Sequence, residues 1–205
     1  IAGMHFRNLT DRFSLNIGKS AKDAGEFRAH QLKAVIGVTP LMMAGNAINA
    51  TIVALAFSGT PLASSVFLWA ALIYAMAFSG YYSWRKSNQH AFPGRVSQTT
   101  LNKVAFNSAL LGLMWGAITL IAYPGGDLAA KLVIVAFTAG MMGGGCFALY
   151  MVPRALVGYL SGIFGCFALA LAMSRGPGDL AVGALLVSTV TAVAGPVADV
   201  FAGVA

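Results

Sequence analysis

The side chains that could do chemistry in this chain are few, and most of them are amides. Asn46 and Asn49 stand three residues apart inside an apolar run, and therefore on one face of a helix. Asn107 and the pair Trp115-Gly116 sit inside another apolar run. An amide in hydrocarbon must find a partner, because an unpaired polar group there costs several kcal/mol. Two roles satisfy that demand. The amides fasten helices to one another, or Asn46, Asn49, Asn107 and Trp115 together line a pocket for a small hydrophobic or amphipathic ligand.

No catalytic constellation accompanies them. His5, His30 and His90 all fall outside the apolar segments, so no intramembrane histidine pair is available to hold a haem. Cys146 and Cys166, with Met42, Met43, Met141 and Met142, offer soft ligands of the kind that hold Cu(I). Methionine and cysteine in apolar helices are ordinary packing residues, however, and neither a metal nor another cofactor is expected. No carboxylate lies deep in an apolar segment, which weakens any case for proton-coupled transport. Asp199 falls close to the end of the last one.

The elements that must position these residues are membrane spans. From Ala34 to Trp84 there is no charged side chain, and Ser58-Gly59-Thr60-Pro61 is the single break. Each arm exceeds the roughly 20 residues needed to cross a hydrocarbon core about 30 Å thick. The 205-residue chain is 58% hydrophobic and 9% charged, with a mean hydropathy of +0.77, which only a polytopic membrane protein explains. We expect an all-α, six-helix transmembrane bundle with spans at about 34–57, 62–84, 104–123, 128–152, 155–173 and 180–203. The polar stretch 1–33 should precede it as an amphipathic and juxtamembrane segment. There Phe6, Leu9 and Phe13 recur at helical spacing, which suits a helix on the membrane surface or a flexible tail, and Ser20 with Asp23 resembles a capping box that opens a second helix.

Charge placement orients the bundle. Eleven of the thirteen Lys and Arg residues fall on the side of the N-terminus, the 85–103 loop and Arg154; Lys131 and Arg175 fall on the other. By the positive-inside rule both termini are cytoplasmic, and the net charge of +7 is a topology signal with attraction to anionic lipid rather than a nucleic-acid footprint. Small residues supply the packing. Ala136, Gly140, Gly144 and Ala148 recur every fourth residue, as do Gly158 and Gly162. Spans four and five, joined by the tight turn Pro153-Arg154, should pack closely through Gly140, Gly144, Gly158 and Gly162. Pro196 in span six is a candidate hinge, because it lacks an amide donor and frees a carbonyl one turn earlier; a fixed bend is the plainer alternative.

Gln31, Pro40, Asn46 and Asn49, the Trp115-Gly116 pair, the glycine run followed by Phe147-Ala148-Leu149, and Pro153 together resemble an N-terminal membrane module of bacterial signalling proteins. The chain from about residue 28 to 205 is similar to the MASE-type sensor regions that precede GGDEF and EAL domains in cyclic-di-GMP enzymes. The resemblance implies a six-helix sensor and anchor in the bacterial inner membrane, commonly dimeric, whose last helix feeds a cytoplasmic output domain beyond residue 205. Neither a GGDEF nor an EAL motif is present, so any such activity would belong to that output domain. A second reading is a small-solute transporter subunit similar to the six-helix substrate-binding components of vitamin importers. A third, a purely structural anchor, keeps the fold and removes the ligand.

Overall fold

The computed structural model describes the backbone of residues 2–89 and 94–174 and of positions 178, 179, 181, 182, 184 and 188, with side chains from Ala24 onward. Within these residues the chain is all-helical: α1 Ala2–Ala56, α2 Ala63–Asn88, α3 Gln98–Ala122, α4 Leu128–Leu149 and α5 Pro153–Met173. Five stretches, Ala24–Ala56 of α1 and the whole of α2 to α5, are long and apolar enough to cross a membrane. The expected sixth span at 180–203, with Pro196 and Asp199, lies outside the described residues apart from four positions.

The outside of the bundle is as apolar as the inside. Leu41, Phe78, Phe106, Leu128 and Phe147 are each 69–75% exposed. Such a surface is stable only against lipid, since soluble proteins do not leave contiguous apolar faces of this extent in water. This is a multi-pass membrane protein.

Helix α1 corrects the expected N-terminal organisation. It runs without interruption from Ala2 to Ala56, so no new helix opens at Ser20. The 33 residues from Ala24 to Ala56 measure about 50 Å at 1.5 Å per residue, more than the hydrocarbon thickness. The first turns therefore stand clear of the apolar layer. The α2–α3 loop docks on them: the Val96 amide donates to the Gly25 carbonyl (3.2 Å), and Arg28 Nε donates to the Val96 carbonyl (2.9 Å). Ala29, Leu32 and Val96 are buried there. Pro40 is absorbed within α1; the residue before it, Thr39, donates a hydrogen bond from its hydroxyl to the Val35 carbonyl one turn back (2.9 Å).

Local caps fix the other starts. The Ser97 hydroxyl accepts from the Thr100 amide at the head of α3, and the Asp127 carboxylate accepts from the Ala130 amide (2.8 Å) at the head of α4. Pro153 opens α5 at a position whose amide would have no helical partner. Helix α3 lies at the centre and touches each of the other four described helices, most extensively α5.

Candidate functional site

The side of α3 that faces α5 is built for backbone contact. Gly112, Gly116, Gly158 and Gly162 mesh along it. A Cβ on Gly112 would collide with the Tyr159 carbonyl oxygen, one on Gly162 would come 2.7 Å from the Leu113 backbone nitrogen, and one on Gly116 would lie 2.7 Å from the Cys166 Cβ. Gly158 faces Ala109, with 3.1 Å available to a Cβ. Rising numbers on α3 meet rising numbers on α5, so the two helices pack in parallel.

This seam corrects the expected pairing of α4 with α5. Gly158 and Gly162 do pack closely, but on α3. Gly140 and Gly144 face open space, with nothing within 4 Å of a Cβ. The physical reason is orientation. In α4 it is Gly145, one residue on, that turns inward and receives the Tyr159 ring. Tyr159 is 1% exposed and holds three helices: its carbonyl lies on Gly112, its ring on Gly145, and its hydroxyl donates to the Met141 carbonyl (3.0 Å).

The opposite side of α3 borders a cavity of about 560 Å³ shared with α1, α2 and Leu149 at the end of α4. Leu32, Val35, Thr39, Met42, Met43 and Asn46 line it from α1; Met76, Ser79, Gly80, Ser83, Trp84 and Ser87 from α2; Thr100, Val104, Asn107, Ser108 and Leu111 from α3. It is mostly apolar with a few polar groups, and its size is that of small-molecule sites. A second hollow of about 340 Å³, lined by Thr99, Asn102, Lys103, Phe106 and Asn107, shares Asn107 with the first.

The cavity ends at a polar knot. Trp115 Nε1 donates to Asn46 Oδ1 (2.5 Å), and Asn46 Nδ2 donates to the Met42 carbonyl one turn back (2.7 Å). Trp69 donates Nε1 to the Met114 carbonyl (2.6 Å) and meets the Trp115 ring edge-on at 5.1 Å. Helices α1, α2 and α3 are thus tied at one level, with Asn46 3% and Trp115 2% exposed.

Of the four residues proposed from sequence as one pocket, two line it. Asn46 forms part of the floor and Asn107 part of the wall. Trp115 supports the floor from behind by holding Asn46. Asn49 points elsewhere and donates Nδ2 to the Met141 sulfur of α4 (3.1 Å). Asn46 and Asn49 both fasten helices, so the fastening role and the pocket role coincide at Asn46.

A second polar cluster closes the other end of the bundle, and sequence reasoning did not find it. Lys131 Nζ lies 3.0 Å from Asp179 Oδ1 and donates to Ser174 Oγ (2.8 Å); Ser174 Oγ donates to Asp179 Oδ2 (2.7 Å). The Tyr123 hydroxyl donates to Asp179 Oδ1 (2.8 Å), and the Lys131 ammonium stands 4.9 Å above the Tyr123 ring. Lys131 is one of only two cations placed by sequence at that end, and Asp179 directly follows the run Gly176-Pro177-Gly178. One cation and one carboxylate flanking apolar spans at the same end was the available signal.

Among the described residues no three His, Cys, Asp or Glu side chains come together as a metal site would need. No protein-family model matches the chain, and no curated protein or solved structure matches it.

Proposed function

We propose that this chain is a membrane sensory module that reads the occupancy of the α1–α2–α3 cavity and passes it to a cytoplasmic output. The cavity is the observation that carries the reading. It is walled by α1, α2 and α3 with Leu149 of α4, floored by the Asn46–Trp115–Trp69 knot, and bordered by α1, which continues unbroken through Ala2–Ala56 to the docked α2–α3 loop. A ligand that spreads α1 from α3 would move that continuation as well. The charge bias supports an orientation with the loop end cytoplasmic in a bacterial inner membrane. The resemblance to MASE-type regions supports a homodimer acting on cyclic-di-GMP turnover through a GGDEF or EAL domain.

The test is Ser79→Phe, which fills the cavity, in the full-length protein. Cellular cyclic-di-GMP should become fixed and cease to follow the stimulus, while the membrane level of the protein stays normal. An unaltered response would remove the reading. Reporter fusions after Gly59 and Gly125 should read external and one after Gln89 internal; the inverse pattern would overturn the orientation. The importer-subunit alternative shares the cavity, but a solute would have to pass the level of the Asn46–Trp115 bond, and uptake by reconstituted vesicles would favour it.

A further inference from the structure

We propose that the cavity binds a single-chain lipid with an anionic head, its acyl tail directed inward and its oxygen-bearing linker against α2. This rests on the sensory reading only in sharing the same cavity.

Depth comes first. From Leu32 at the mouth to Asn46 at the floor the wall rises 14 residues along α1, about 21 Å at 1.5 Å per residue. One leaflet with its headgroups is half of the 40–45 Å bilayer, about the same depth. Trp84 stands at the upper wall beside Tyr81 and Tyr82, an aromatic belt at headgroup level. The floor calls for no polar group from a ligand, because Asn46 is already bonded to Trp115 and Met42. Met42, Met43 and Met76 surround it, flexible side chains that accommodate a hydrocarbon tail.

The upper wall is different in kind. Ser79, Ser83 and Ser87 recur every fourth residue of α2 and all line the cavity, as does the Asn107 amide across from them on α3. None of the four side chains has a hydrogen-bond partner among the described residues. A line of unpaired donors about 12 Å long, eight residues at 1.5 Å, fits the hydroxyl and ester oxygens of a glycerol-type linker.

Charge selects the head. Between Phe27 and Gly126 the chain carries Arg28, Lys33, Arg85, Lys86, Arg95 and Lys103 and no acidic residue. All six belong to the end where the cavity opens. Arg28 is engaged with Val96, but Lys33 follows Leu32 of the wall, and Lys103 lines the second hollow that shares Asn107 with the first. An anionic head at that mouth meets Lys33 and Lys103, against one described carboxylate at that end, Glu26, six residues before Leu32 on α1.

The experiment is native mass spectrometry of the purified chain in neutral maltoside, offered lysophosphatidylglycerol, lysophosphatidylcholine, palmitate and two-chain phosphatidylglycerol, all of equal tail length. One lysophosphatidylglycerol per chain should be retained, about thirtyfold better than the zwitterionic lysolipid, as expected when two cations near a membrane surface act on one charge. Palmitate, which lacks the linker, should be retained more weakly than lysophosphatidylglycerol. Lys33→Gln with Lys103→Gln, both on exposed positions, should bring the two lysolipids to parity. Ser83→Phe, in protein whose melting is unchanged, should abolish retention. Equal retention of both lysolipids by the natural chain, palmitate retained as well as lysophosphatidylglycerol, preference for a two-chain anionic phospholipid, or retention insensitive to Ser83→Phe would each overturn the proposal. Retention without any effect of the lipid on output would overturn the sensory reading and leave this site standing. An output that responds to cavity filling in a protein that retains no anionic lipid would do the reverse.

Discussion

The two sides of α3 solve the same packing problem in opposite ways. Toward α5, glycines remove side chains altogether and backbone lies on backbone, so the contact has one geometry and no slack. Toward α1 and α2, bulky and flexible side chains hold the helices apart around about 560 Å³, and contact is concentrated in the Asn46–Trp115–Trp69 knot. In lipid, where apolar burial does not drive helices together, close packing is what gives stiffness. The α3–α5 seam is then a rigid frame, and α1–α2 a pair that can shift against it. A ligand can only bias an element that has somewhere to go.

The largest effect should come from breaking the seam. Gly112→Leu drives a side chain into the Tyr159 carbonyl, where neither backbone can yield; overpacking typically costs about 1–3 kcal/mol, and this site should reach or exceed the top of that range. Thermal unfolding in detergent should show loss of the native transition or a large fall in Tm. Gly144→Leu, on the open face of α4, should leave Tm essentially unchanged.

Next in size is the cluster at the far end of the seam. Lys131→Gln removes the cation from an Asp179 that is only 11% exposed, and hydrogen bonds to charged groups are each worth about 1.5–3 kcal/mol. A loss of about 2 kcal/mol is expected, smaller in Lys131→Gln/Asp179→Asn than the sum of the two single changes. Strict additivity would show that the pair is not coupled.

On the compliant side, Asn46→Leu leaves the Trp115 N–H without its acceptor and should cost about 1 kcal/mol, since interhelical hydrogen bonds in membranes are modest. Pairing it with Trp115→Phe should recover part of that loss in the same melting assay. The smallest effect is expected at Asn49, whose partner is the weak acceptor sulfur of Met141. Asn49→Leu should shift stability by no more than about 0.5 kcal/mol. A loss equal to that of Asn46→Leu would mean that the α1–α4 contact matters as much as the knot.

Much of this architecture is legible in the sequence, and for one reason: a bilayer demands about 20 apolar residues per crossing. The hairpin at 34–84 and the breaks at Ser58 to Pro61, Tyr123 to Gly126 and Pro153 fall where the helices end. Which way a helix faces is much harder to read. A soluble helix announces its buried stripe by polarity, but here lipid and core are both apolar, so α4 offers several glycines with nothing to tell Gly145 from Gly144. The seam did leave a trace in matched spacing, Gly112 and Gly116 on α3 against Gly158 and Gly162 on α5. Asn46 was found because a buried amide is conspicuous in hydrocarbon. The serine line on α2 was not, because a serine in an apolar helix commonly satisfies itself on its own backbone; Thr51 and Thr138 do so here.

Dipolar EPR tests the division between frame and moving pair most directly. Spin labels at Leu41 and Phe106 report α1 against α3, and labels at Phe106 and Val157 report α3 against α5; all three positions are exposed, and Cys146 and Cys166 would be replaced by alanine. Addition of lysophosphatidylglycerol should shift or narrow the 41–106 distance and leave the 106–157 distance unchanged. A change confined to the 106–157 pair, with 41–106 fixed, would contradict the division.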